Sequence, residues 1–286
     1  MRQWLSHRMI DRGARRWFAL TDRVGYWRRI LLTARGNRRF RAAHPDFAAP
    51  PLPILWDAQA TTDLAEYKAS GESAAAQYWA LIRPHVTGAA AAAVRVPTGR
   101  PARVCEWGCG PARILRHLPS LAARGAAAGT AVEFYGSDYN RASIAWCRAH
   151  LTGISFLENG LAPPLPVPDG FFDLLFCRSV FTHLSAEMHG RWMAELARAV
   201  RPGGVVIVTT HGDAYRPRLT AEERARYDGG ELIVRTLAAE GRKLFGAFHP
   251  PAWVRERLLA GLTLLEYQPG ADTQDIWAAR VPGAPA

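Results

Sequence analysis

The stretch Val104-Cys105-Glu106-Trp107-Gly108-Cys109-Gly110-Pro111-Ala112-Arg113 decides the fold. An apolar run enters a glycine turn, and Ile114, Leu115 and Leu118 follow at helical spacing, so the segment reads as strand, turn and helix. Glycines allow a sharp turn and a close approach of backbone to a ligand, although a lone Gly-x-Gly also serves any tight turn. A dinucleotide-binding turn carries a third glycine at position 113, which lets the helix N-terminus meet a pyrophosphate. Arg113 stands there instead. Glu106, two residues before the first glycine, would repel a diphosphate and suits a cationic amino group. The turn is built for a ligand bearing an ammonium.

Working outward, short β-rich runs alternate with helical periods from Ala102 onward, the pattern of parallel βαβ units. Strands are expected at 102–107, 132–137, 154–157, 172–178 and 204–210. Two more, at 262–267 and 274–280, are separated by Gln268, Pro269 and Gly270 and should form an antiparallel pair closing the sheet. The charged, less regular region 211–250 has the place of an insertion or lid. No internal repeat is present.

The second strand ends in Gly136-Ser137-Asp138-Tyr139-Asn140, where Asn140 is placed to cap the next helix. Asp138 stands where a carboxylate accepts hydrogen bonds from ribose hydroxyls, and equally where it would cap a helix. After the third strand, Asn159 is placed to offer its amide to an adenine edge. Ala199-Val200-Arg201-Pro202-Gly203-Gly204-Val205 closes a helix carrying Trp192 and Leu196 and opens another strand, a structural motif.

The chain carries a net charge of +11, and twelve arginines against Asp11 and Asp22 put +10 of it on residues 1–42. The basicity belongs to an arm, and the near-neutral body argues against a nucleic-acid partner. In the arm, Ile10, Trp17, Leu20, Val24, Trp27 and Leu31 recur at helical steps, with Gly13 and Gly25 weakening the helix. Such a helix packs on its own domain or on a second subunit of a homodimer, lies on anionic lipid, or contacts nucleic acid. A proline-rich connector follows at 47–53, a helix at 61–83 and a flexible link at 84–101. The expected division is an arm over 1–50, a helical cap and linker over 51–100, and a ligand-binding domain over 101–286. With no long apolar run and no cleavable leader, the protein is expected in the cytoplasm, with membrane association through the arm as an option. Cys105, Cys109, Cys147 and Cys177 are expected to be reduced and buried, and no metal site is expected.

These motifs, in this order, resemble those of class I S-adenosylmethionine-dependent methyltransferases, especially a bacterial group whose fourth strand is followed by a Ser-Val-Phe-Thr-His-Leu string, here Ser179 to Leu184. The resemblance covers about residues 100–280. It implies an α/β, Rossmann-like sheet of seven mostly parallel strands with helices on both faces, an antiparallel last strand and extra N-terminal helices. It implies S-adenosyl-L-methionine as cofactor, with Glu106, Gly108 and Gly110 at the methionine end, Asp138 on the ribose and Asn159 beside adenine. Tyr139 and Ser179 complete the set. Two departures are visible: Glu106 stands where the family often has Asp, and Ala112 where a third glycine is common, so its methyl would narrow the approach.

A sulfonium methyl is already activated, so the protein must align the acceptor and, for a hydroxyl, remove a proton. His183, after the fourth strand, and His211, after the fifth, stand at the ligand-binding edge of such a sheet and are the candidate bases, with His249 behind them. Tyr67 and Trp253 are either parts of a lid or core aromatics. The expected activity is methyl transfer to O or N of a small molecule, sugar or lipid-linked acceptor. The alternatives are an RNA or protein methyltransferase docking through the arm, or a nucleotide-binding protein without turnover.

Overall fold

The computed structural model of the chain describes residues 2–87, 100–125, 131–236, 240–241, 245–271 and 273–283, with side chains from residue 20 onward. Seven strands form one sheet: β1 (Ala102–Trp107), β2 (Val132–Asp138), β3 (Ile154–Glu158), β4 (Phe172–Phe176), β5 (Val200–Thr210), β8 (Thr263–Gln268) and β9 (Asp275–Arg280). Their order is β3-β2-β1-β4-β5-β9-β8, the first five parallel and β9 antiparallel to both its neighbours. The antiparallel closing pair stands as expected. Register brings Glu106 level with Gly136 and Phe176, so the C-terminal ends of β1, β2 and β4 form one rim.

Alternation along β1 sends Val104 to one face and Cys105 and Trp107 to the other. On the first face lie α3 (Leu64–Val86), α4 (Leu118–Gly125) and α5 (Arg141–His150); on the second lies α6 (Ala186–Ala199), through Trp192 and Leu196. Tyr78 of α3 packs on Phe176 of β4 at 5.2 Å between ring centroids, so this N-terminal helix is a layer of the core. Its crossing is close: a β-carbon on Gly71 would lie 2.3 Å from the Arg113 carbonyl oxygen. Arg201 of the Arg-Pro-Gly-Gly turn donates to the buried Asp173 at 2.6 Å and anchors the start of β4.

Several boundaries depart from the sequence reading. The arm is one unbroken helix, α1 (Arg2–Ala43), that runs through Gly13 and Gly25, and the Trp56 ring packs over Gly25, where a β-carbon would touch it at 3.6 Å. The helix expected from about 61 begins at Leu64, with Asp63 accepting from the Ala65 and Glu66 amides, and runs to Val86; most of the link at 84–101 lies outside the described residues. A short helix α2 (Leu52–Gln59) starts inside the proline-rich connector. The helix after the glycine turn begins only as a 3-10 turn at Leu115–His117. The 211–250 region is more regular than expected: it holds α7 (Ala221–Asp228), closed by a Thr220/Glu223 capping box, and an antiparallel pair, β6 (Ile233–Thr236) with β7 (Phe245–Phe248). Tyr67 is core rather than lid, its hydroxyl donating to the Pro111 carbonyl at 2.8 Å. The four cysteines are free thiols, all buried.

Candidate functional site: a cleft at the C-terminal rim of the sheet

β1 ends at Trp107 and the chain turns through Gly108, whose φ of 74° is left-handed and open to glycine at little cost. A β-carbon there would also lie 2.3 Å from Cγ2 of Val180. The amides of Gly108 and Cys109 donate to the Ser137 carbonyl at 2.7 and 3.1 Å, and that of Gly110 donates to Oδ2 of Asp138 at 2.7 Å. Oδ1 of Asp138 accepts from the Asn140 amide at 2.7 Å, while Asn140 caps α5 with its own side chain. Asp138 is therefore not the cap; it braces the glycine turn, and with three backbone amides directed at it the carboxylate keeps one acceptor position for a further donor. Burial holds its carboxyl above the usual aspartate range, against the pull of the Asn140, Gly110 and Tyr139 amides.

Glu106 is also buried and accepts from the Leu115 amide at 3.0 Å. Desolvation pushes its pKa up to about 8, opposed chiefly by the Arg113 guanidinium. Ala112, the departure from a third glycine, has φ 59°: it adopts the left-handed conformation that glycine would supply and is wholly buried. The Asn159 Oδ1 accepts from the Ser137 hydroxyl at 2.5 Å and its Nδ2 donates to the Gly160 carbonyl at 2.7 Å, which fixes the orientation of the amide. Ser179, at φ 60°, donates its amide to Thr209 and accepts the Gln274 amide on its hydroxyl at 2.7 Å. Tyr139 donates its hydroxyl to the Gly241 carbonyl at 2.8 Å, and the Gly241 amide donates to the His183 carbonyl at 2.9 Å. Gly241 thereby bridges the segments that follow β2 and β4.

Beside Arg113 lies a cavity of about 280 Å³, lined among others by Gln59, Thr61, Glu66, Gln77, Arg113 and Arg178. Sequence reasoning missed its α3 wall, yet the signal was there: Glu66, Ser70, Ser73 and Gln77 form a polar stripe at helical spacing on a helix whose other face, Tyr67, Ala74 and Tyr78, is buried. One carboxylate, Glu66, and two guanidiniums, Arg113 and Arg178, at one place fit a zwitterion.

The two candidate bases come together through β7. His183 Nδ1 is 2.8 Å from the Phe245 carbonyl and His211 Nδ1 is 3.1 Å from that of Ala247, alternate residues of one strand. A carbonyl only accepts, so each neutral ring carries its proton on Nδ1 and its lone pair on Nε2. Desolvation lowers both pKa values, that of His211 to about 4 with further lowering from the charge of His183. The rings are therefore neutral near pH 7. Behind them, His189 Nε2 meets His249 Nε2 at 2.8 Å in a fully buried pair, and Trp253 packs on both. Among the described residues, no three His, Cys, Asp or Glu side chains gather as a metal site.

A family model described as a methyltransferase domain matches residues 105–208, which span the glycine turn, Asp138, Asn159 and most of β5. A trans-aconitate 2-methyltransferase of Methylobacterium nodulans is 32% identical over 134 residues, 47% of this chain and 48% of that protein. The chain thus matches about half the length of this curated relative. Among solved structures, an S-adenosylmethionine-dependent methyltransferase from Mesorhizobium loti is 17% identical, with a TM-score of 0.48, covering 66% of this chain and 96% of that one. One from Methanosarcina mazei is likewise 17% identical, with a TM-score of 0.47, covering 64% and 94%. The match to a methyltransferase domain lies over residues 105–208, and the ordered motifs and the seven-stranded sheet agree with the class I, S-adenosylmethionine-dependent type of that domain.

Proposed function

We propose that this chain methylates an oxygen or nitrogen of a small-molecule, sugar or lipid-linked acceptor that must lose a proton as the methyl arrives. The residues of the cleft fit the cofactor of this domain type. Glu66 in the cavity and Glu106, buried at the end of β1, offer carboxylates to an ammonium, and Arg113 and Arg178 offer guanidiniums to a carboxylate. Asp138 keeps one acceptor position for a ribose hydroxyl. When bound, S-adenosylmethionine supplies an electrophilic methyl on a sulfonium.

The observation that carries the reading is the pair of neutral imidazoles held by β7. A carboxylate acceptor needs no base, whereas a hydroxyl or protonated amine must give up a proton. An Nε2 lone pair on His183 or His211 accepts that proton, the Nδ1 bond to a backbone carbonyl fixes the ring, and the carbonyl oxygen stabilises the imidazolium that forms. Tyr215, stacked on His211 at 3.9 Å, shields that ring from water.

The experiment is a screen for S-adenosylhomocysteine formation over acceptors bearing hydroxyl, amine or carboxylate groups. Turnover is expected with O–H or N–H acceptors. His183→Ala or His211→Ala should then lower kcat by roughly 10²- to 10⁴-fold while cofactor affinity stays unchanged. Turnover confined to carboxylates, or full kcat in both variants, would contradict the reading.

A further inference from the structure

α1 has two unlike faces. The inner face is bonded to the body: Trp56 donates to Asp22 at 3.2 Å, Thr33 shares a hydrogen bond with Thr62 at 2.9 Å, and Asn37 donates to the Thr62 carbonyl at 2.7 Å and accepts from the Leu64 amide at 3.0 Å. Phe40 closes this face against Leu55, Leu64 and Tyr67. Opposite, Leu20, Val24, Trp27 and Leu31 follow at steps of four, three and four residues and are 56%, 59%, 57% and 77% exposed. Leu32, 68% exposed, lies off this stripe on one flank. Exposed arginines stand along this face, Arg23 and Arg41 on one flank, Arg28, Arg35 and Arg39 on the other, with Arg38 in line with the stripe.

Three occupants could cover such a face, and the chemistry separates them. A second copy would set one arginine row against another with no acid to neutralise it, since Asp22, the acid of residues 20–43, is turned to Trp56. A nucleic acid would neutralise the arginines but leave four apolar side chains along the centre of the contact without partners. An anionic bilayer satisfies both, with Leu, Val and Trp entering the boundary between headgroups and acyl chains while guanidiniums meet lipid phosphates. No described helix is long and apolar enough to cross a membrane. We propose that the outer face of α1 docks peripherally, in the plane of the surface, on a bilayer containing anionic phospholipid. Thr33 and Asn37 tie α1 to Thr62, next to the Thr61 wall of the cavity, so docking also sets the height of the cavity above the surface.

The test is co-sedimentation of the full-length protein with vesicles of phosphatidylcholine alone or mixed with phosphatidylglycerol, at low and high salt. The partner variant is Trp27→Glu with Leu31→Glu, both exposed positions, with binding of S-adenosylhomocysteine and the melting temperature as checks of folding. Partition into the anionic vesicles alone, weakened by salt and at least about tenfold weaker in the double variant, is the expected result. Failure of the wild type to partition at low salt, or equal partition of the two proteins, would overturn the proposal. A dimer in sedimentation velocity that the double variant abolishes, without vesicle binding, would overturn it in favour of a second copy.

Discussion

Burial disfavours charge both at Glu106 and at the His183 and His211 pair, raising the first pKa and lowering the other two. At the end proposed for the cofactor, burial lifts Glu106 to about 8 and raises Asp138, so the buried acid at 106 holds its proton near neutrality. At the end proposed for the acceptor, burial lowers His183 and takes His211 to about 4, so both rings lack a second proton. Desolvation disfavours whichever form is charged. In the proposed function the difference lies in what arrives: an ammonium brought to Glu106 would favour its ionised form, whereas a neutral acceptor brought to the histidines would leave them as they are, with a lone pair to accept a proton.

The largest expected effect breaks the cofactor end alone. Gly108→Val forces a branched side chain onto φ 74° and into Cγ2 of Val180, and should lower S-adenosylhomocysteine affinity by more than about a hundredfold in calorimetry. Next comes acid stability, which reads both ends at once. Besides His211, burial also lowers His117 and His189 to about 4. Unfolding returns these rings to ordinary values near 6.5, so the unfolded chain takes up protons that the folded one refuses. Their contribution is whole above pH 6.5 and is lost as the pH falls toward 4, a few kcal/mol between pH 7 and 5 in urea unfolding. Glu106 works in the opposite sense, because its raised folded value means that the folded chain gains a proton first. Glu106→Gln should therefore steepen the acid loss, and an unchanged slope would remove Glu106 from this account. The smallest effect is at Ala112. Relief of its left-handed backbone is offset in part by the freedom that glycine adds to the unfolded chain, so Ala112→Gly should raise stability by up to about 1 kcal/mol without weakening cofactor binding.

The same comparison explains what could be read in the sequence. Glu106, Gly108, Gly110 and Asp138 stand at the ends of consecutive strands, and each owes its place to apolar runs and turn residues within a few positions. Strands β1 to β5 and the antiparallel pair β8 and β9 were legible for that reason. The acceptor end depends on distant partners: the carbonyls that set the tautomers of His183 and His211 lie 62 and 36 residues away, on a four-residue strand beyond a charged stretch. Sequence could nominate the two rings but not bring them together. The packing of Trp56 over Gly25 of α1 is likewise a contact between residues 31 positions apart. Ala112 shows the reverse case, in which the sequence anomaly was plain and its backbone consequence was not.

The most direct test of the central claim is calorimetric titration of the wild type with S-adenosylhomocysteine near pH 7, in two buffers of different ionisation enthalpy, with NAD as the control ligand. The account predicts a dissociation constant on the order of micromolar, no heat with NAD, and release of close to one proton as the ligand's ammonium ionises Glu106, absent in Glu106→Gln. A folded wild type that binds NAD and not S-adenosylhomocysteine, or that binds the latter with no buffer dependence, would contradict it.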